Sequence, residues 1–295
     1  MMTELFPAHS EKSPARTAVL LSGTGSNARV LLEDCRRNER AFRPVLLVTD
    51  NPESRAGELA REFDLSLAEL DIRAFYASFG ESSIKLDSPR RRELRDQWSC
   101  LLGEELKKHD IELVLFAGFI PMTNLTEKFP CLNVHPGDLT VTDPDGSRPF
   151  AGLHCKPVEE ALCRNTGFTR SSVILARPYT GNGKGEMDSG PVVGVSGKIF
   201  FDLSPEQTGA LKKLRSSRTE PPFRDELRRF ALEHIDKMKV LGDHVIFPRA
   251  AEDFARGRFL CNDRGELFFR EKGEIHPILS VEYTVDGKKL LERQM

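Results

Sequence analysis

The sequence predicts an α/β fold: a mostly parallel, twisted sheet flanked by helices, with a small β extension at the C-terminus. Three observations predict it. Short apolar runs bounded by turn signals alternate with segments of helical periodicity. The first run leads through a glycine turn into a helix, as strand-to-helix connections in such sheets do. After Phe259 the texture changes to short strand-like runs joined by the hairpin signal Asp286-Gly287.

Taken in order, residues 17–21, 44–48 and 113–117 have the unbroken apolar character of strands buried on both faces. Apolar periodicity between them places helices at about 26–38, 53–63 and 88–109, the second after the start signal Asn51-Pro52. Residues 73–87 read as an irregular connection. A further apolar run at 131–134 enters a long loop, 136–152, rich in Pro, Gly, Asp and Thr, and loops of that length are often functional. A helix at 156–164 follows. Strands at 172–177 and 192–201 flank a loop holding Gly181, Gly183 and Gly185, which predicts a mobile lid. The polar, basic, proline-broken stretch 204–222 reads as an exposed linker. Helices at 223–241 and 249–256 and strands at 266–269 and 281–285 complete the chain. The predicted organisation is a disordered leader over 1–16, one α/β domain over 17–258 and the extension over 259–295.

Bulk properties exclude several classes of function. A net charge of -2 over 295 residues gives no electrostatic reason to bind nucleic acid. No apolar run approaches the roughly 18 residues of a membrane span. The leader lacks the apolar core of a secretory signal. Six cysteines form no Cys-x-x-Cys and no zinc spacing, so reduced thiols, a cytoplasmic location and no metal are expected. The partners expected are small-molecule substrates, and the sequence leaves the oligomeric state open.

Two motifs carry chemistry. Asn133-Val134-His135-Pro136, with Met187-Asp188-Ser189-Gly190-Pro191 downstream, offers one amide, one imidazole and one carboxylate near strand ends. An amide that donates to an oxyanion, a histidine, and an aspartate that orients and charges it are the parts needed for acyl transfer to an amine. Singly each has a plain explanation: a turn-forming Asn, a satisfied polar His, an Asp-Ser-Gly-Pro turn. The second motif is the turn Gly23-Thr24-Gly25-Ser26-Asn27, where backbone N–H groups at a helix start suit an anion. With Ala28 and Asp50 it also outlines a dinucleotide fingerprint. A tight turn with Ser26 or Asn27 capping the helix is a third reading. Two short polar side chains beside free amides favour a single terminal phosphate over a pyrophosphate.

Together these motifs resemble those of the glycinamide ribonucleotide formyltransferase family, within the folate-dependent formyltransferases. The resemblance spans about 17–256. It rests on Leu21-Ser22-Gly23-Thr24-Gly25-Ser26-Asn27, Leu115-Phe116-Ala117-Gly118-Phe119, Leu132-Asn133-Val134-His135-Pro136 and Asp188-Ser189-Gly190-Pro191-Val192, with weaker echoes at Gly152-Leu153-His154 and Asp243-His244-Val245-Ile246-Phe247-Pro248. It implies a formyltransferase-like fold with a Rossmann-type N-terminal half. It makes Asn133, His135 and Asp188 catalytic. It assigns the substrate phosphate to Gly23, Thr24, Gly25, Ser26 and Asn27, and the folate to Gly118, Ile120, Met122 and Thr123. Asp243 is assigned to the nucleotide substrate.

Three departures stand out. Gly137-Asp138-Leu139-Thr140 replaces the Ser and Leu-Leu-Pro run that usually follows His-Pro. Pro121 stands where an arginine is often found, and Ile174 where many relatives carry histidine.

The implied activity is transfer of a formyl group from 10-formyltetrahydrofolate, as co-substrate, to a primary amine of a phosphorylated acceptor. Glycinamide ribonucleotide, in purine biosynthesis, comes first. The alternatives are another amine such as an amino-sugar nucleotide, an NAD-dependent oxidoreductase, and a non-catalytic folate- or nucleotide-binding protein.

Overall fold

The computed structural model describes residues 2–179, 187–219 and 222–292. In chain order the elements are β1 (Met2–Glu4), β2 (Ala15–Leu21), α1 (Ser26–Arg37), β3 (Phe42–Thr49), α2 (Ala56–Phe63), β4 (Ser66–Glu69), α3 (Ile72–Ser78), α4 (Pro89–Lys108), β5 (Leu113–Phe116) and β6 (Cys131–His135). There follow α5 (Lys156–Cys163), β7 (Phe168–Thr169), β8 (Ser172–Leu175), β9 (Val192–Ser196), β10 (Ile199–Phe200), α6 (Pro205–Ser217), α7 (Glu226–Met238) and α8 (His244–Ala255). The last strands are β11 (Phe259–Asn262), β12 (Leu267–Glu271), β13 (Glu274–Ile278), β14 (Ser280–Tyr283) and β15 (Lys289–Glu292).

The main sheet has nine strands in the order β15-β14-β9-β8-β6-β5-β2-β3-β4. From β6 to β4 every pairing is parallel, and β8 runs antiparallel to both β6 and β9. The alternation along β2 shows how the sheet is clothed, because successive side chains point to opposite faces. Val19 and Leu21 join a core under α1, α2 and α8. Ala18 and Leu20 join a second core under α3 and α4 that contains Tyr76 and Trp98. Trp98 is buried with its indole N–H on the Leu70 carbonyl, a packing role. Among the described residues, no helix is long and apolar enough to cross a membrane.

Several elements depart from the sequence reading, each for a physical reason. The expected disordered leader is tied down. β1 pairs antiparallel with β11, and the buried Phe6 ring stacks on Phe254 at 5.3 Å. The expected C-terminal unit is divided. β11, β12 and β13 form a four-stranded sheet with β1, whereas β14 pairs parallel with β9 and carries β15 onto the main sheet. The hairpin read from Asp286-Gly287 is the one that joins β14 to β15.

The stretch read as a linker contains α6. Ser204 and Gln207 make a reciprocal capping box, and Pro205 sits in the first helical turn, where its missing N–H costs nothing. Residues 73–87 begin inside α3, which Asp71 caps by accepting from the N–H groups of Arg73 and Ala74. The helix read from 249 starts earlier, at His244, and carries Pro248 within it. The run 192–201 breaks into β9 and the short β10, which pairs with β7.

Candidate active site

β6 ends at His135, and the chain leaves the sheet there at its carboxyl edge, where ligands bind in open α/β sheets. Asp188 stands in a single 3₁₀ turn just before β9, two strands away across β8. The structure brings the three candidate catalytic side chains together. Asn133 Nδ2 is 3.5 Å from Asp188 Oδ1. His135 Nδ1 is 3.7 Å from Asp188 Oδ2, longer than a hydrogen bond but well within ion-pair range. The groups therefore converge on one point without closing on each other.

The imidazole is held from behind. His135 is buried, and its Nε2 donates to the Phe150 carbonyl at 2.9 Å. A carbonyl can only accept, so Nε2 carries a proton and Nδ1 is the nitrogen offered to Asp188. Gly137 makes this bond possible. A Cβ there would lie 2.3 Å from the Phe150 oxygen and 3.0 Å from His135 Nε2. Arg148 adds a cation to the site, donating from Nη1 to the backbone carbonyl of Asp188. Burial lowers the Arg148 pKa, and the Asp188 charge opposes that shift.

The glycine turn is built at the same edge. Gly25 lies in the left-handed region at φ 68°, and α1 begins at Ser26 with no side chain capping it. The reading in which Ser26 or Asn27 caps the helix therefore fails, and the first N–H groups stay available to a ligand. Asn27 instead reaches across the fold, donating from Nδ2 to Asp243 Oδ2 at 3.1 Å. Asp243 closes a π-helical turn (Lys239–Asp243) between α7 and α8, and π turns often mark functional sites. Burial raises the Asp243 carboxyl pKa, while Ser171, Asn27 and the neighbouring His244 and His135, in that order, oppose the shift. Among the described residues, Asn27 Oδ1, Asp243 Oδ1 and His244 Nε2 are buried without a hydrogen-bond partner. Buried polar atoms are normally paired, so this group has hydrogen-bonding capacity left unused.

The segment 118–123 divides. Gly118 has a φ of 86° and accepts from the Ser22 N–H through its carbonyl. Ile120 and Met122 are exposed and, with Pro121, line a cavity of about 810 Å³. Thr123 is fully buried, its hydroxyl bonded to Ser99 and to the Leu125 N–H, so it shapes the segment from inside. Asp50, the residue of the dinucleotide outline, is buried and accepts a hydrogen bond from the Ser22 hydroxyl. Ile174 lies opposite Asn133 across the β6–β8 pairing and packs with Leu139. The glycine loop read as a lid, Gly181 to Gly185, lies outside the described residues.

No family model matches the chain. Over 200 residues it is 29% identical to a phosphoribosylglycinamide formyltransferase from Mycobacterium tuberculosis (strain CDC 1551 / Oshkosh), covering 66% of this chain and 76% of that protein. The chain is thus similar in sequence to a phosphoribosylglycinamide formyltransferase over about two thirds of its length. The formyltransferase fold is shared with a crystal structure of glycinamide ribonucleotide transformylase 1 from Symbiobacterium toebii, with TM-score 0.54 and 23% identity over 85% of this chain and 92% of that one. It is shared also with the phosphoribosylglycinamide formyltransferase from Coxiella burnetii, with TM-score 0.56 and 16% identity over 90% of this chain and 96% of that one.

Sequence reasoning missed Phe150 and Arg148. The Phe150 contribution is a backbone carbonyl, which no residue type announces. Arg148 is one arginine in a long polar loop. Only Gly137, placed directly behind His135-Pro136, hinted that something approaches closely there.

Proposed function

We propose that this protein is a cytoplasmic enzyme that transfers the formyl group of 10-formyltetrahydrofolate to the primary amine of glycinamide ribonucleotide, a step of purine biosynthesis. The observation that carries the reading is the Asn27–Asp243 bond. It ties the uncapped glycine turn to the buried carboxylate of Asp243, beside Asn27 Oδ1 and His244 Nε2, which are unpartnered among the described residues. A phosphorylated amine spanning that path meets N–H groups at one end and the Asn133–His135–Asp188 set at the other. The named relatives of the chain support the same reaction.

In this reading Ser26, Asn27 and the turn at Gly23 to Gly25 hold the phosphate, and Asp243 holds the acceptor. The segment Gly118 to Thr123 forms one wall of the folate site. As the amine attacks the formyl carbon, Asn133 Nδ2 and a protonated His135 donate to the developing oxyanion. Asp188 faces the imidazole at ion-pair distance. It also takes the proton from the attacking amine, and that proton passes to the departing folate nitrogen. The C–N bond to the acceptor forms first, giving the tetrahedral oxyanion, and its collapse breaks the C–N bond to the folate as that nitrogen is protonated, so no covalent enzyme intermediate is needed.

The test is to incubate the protein with 10-formyltetrahydrofolate and a panel of primary amines, following folate deformylation. Glycinamide ribonucleotide should give the highest kcat/KM. A faster amino-sugar nucleotide would overturn the acceptor, and no deformylation with any amine would overturn the reaction.

A further inference from the structure

The turn that follows His135-Pro136 carries Asp138, whose side chain is buried. One carboxylate oxygen accepts from the Thr140 N–H at 3.1 Å and from the Thr140 hydroxyl. The other lies 3.8 Å from Nη1 of Arg170. Arg170 is only 6% exposed, and its guanidinium is shared among distant parts of the chain. Nε donates to the Ser196 carbonyl at 2.7 Å in β9. Nη2 donates to Glu282 in β14, and Nη1 pairs with Glu292 Oε1 in β15 at 2.7 Å. Glu292 is itself fixed by the Ser280 hydroxyl at 2.6 Å.

The turn has a second tether close by. Ser172 Oγ donates to the Gly137 carbonyl at 2.7 Å and accepts from the Leu139 N–H at 3.0 Å. Gly137 in turn faces the Phe150 carbonyl and the His135 ring. A planar guanidinium with several donors can bond the Ser196 carbonyl, Glu282 and Glu292 at once and still face Asp138 at ion-pair distance, which a lysine cannot.

We propose that Arg170 is a positioning residue through which the β14–β15 hairpin sets the turn behind the catalytic histidine. The hairpin carboxylates fix the guanidinium, the guanidinium fixes Asp138, and Asp138 fixes the turn against which the Phe150 carbonyl and the imidazole stand. The C-terminal strands thereby belong to the catalytic apparatus without touching a substrate. The rate consequence rests on the formyl-transfer reading, whereas the mechanical coupling does not.

Two full-chain variants test it. Asp138→Asn keeps the turn's shape and acceptor oxygen but removes the charge that meets Arg170. The double variant Glu282→Gln/Glu292→Gln releases Arg170 from the hairpin. Each should lower kcat by about tenfold and leave KM for both substrates within about twofold, as a small displacement of a reacting group does. Amide exchange at Leu139 and Thr140 should quicken in both.

Unchanged kcat in a folded Asp138→Asn protein overturns the proposal, even if exchange there quickens. So does unchanged exchange at Leu139 and Thr140 in the folded double variant. If the double variant does not fold, Asp138→Asn alone decides. If the wild-type protein transfers no formyl group, that reaction fails as a reading, and exchange in the double variant still decides the coupling.

Discussion

Adding one methyl group at position 137 tests whether the Phe150 carbonyl sets the imidazole. The Gly137→Ala Cβ would begin 2.3 Å from that oxygen and 3.0 Å from His135 Nε2. Carbon and oxygen in weak contact stand about 3.3 Å apart, so the carbonyl must retreat by about 1 Å. The bond it now accepts from His135 is 2.9 Å long, and a retreat of that size breaks it. Overpacking of this kind costs about 1–3 kcal/mol of stability. A displacement of about 1 Å at a reacting group costs on the order of 10² in rate. We therefore expect kcat to fall about 10²-fold while the protein stays folded. The assay is steady-state folate deformylation beside urea unfolding. A stable variant with the kcat of wild type would refute the reasoning, because the imidazole would then not depend on the Phe150 carbonyl.

Four other outcomes are expected. Asp188→Asn should lower kcat by about 10²–10⁴, as for a lost proton-transfer group. Asn133→Ala should lower it by about 10²–10³, as for a lost oxyanion donor. Steady-state rates in both variants check this, and wild-type rates remove those residues from the mechanism. His234 is buried and bonded to Thr169, and burial pushes its pKa down to about 4 from an ordinary 6.5. The unfolded chain then binds the extra proton first, so stability is full above the ordinary value and is lost as pH falls towards the folded one. The loss approaches about 3 kcal/mol, and His234→Gln should flatten the pH dependence of urea unfolding in that window. Gly209→Ala, in α6 with open space around its new Cβ, should raise stability by about 0.5–1 kcal/mol and leave activity unchanged. A lower unfolding midpoint would show that α6 is not helical there.

The grouping of the candidate side chains was legible where it lies in side-chain type and follows from strand ends. Asn133, His135, Asp188 and the glycine turn are of that kind. The bond from Asn27 to Asp243 joins residues far apart in sequence, and only the resemblance put Asp243 at the substrate. Phe150 and Arg170 left no local trace, because a carbonyl and a multiply shared guanidinium acquire their roles through packing. The strands of the parallel half were legible because burial on both faces leaves an unbroken apolar run. α6 was not, because Leu211 is its only buried residue and its apolar stripe is correspondingly weak. The prolines of the stretch 204–222 were read as breaks, although Pro205 occupies the one part of a helix that favours proline.

The pairing of β1 with β11 has a consequence for biosynthesis. Thr3 stands opposite Cys261, so β1 leaves the ribosome long before the strand that pairs with it. Until then β1 carries unpaired backbone groups, the condition in which strands pair with the wrong neighbour. Its shortness and the acidic Glu4 limit that risk. The small sheet should thus close late, after the parallel sheet has formed around β2, and pulsed amide labelling during refolding should find residues 2–4 and 259–262 gaining protection together, after 17–21.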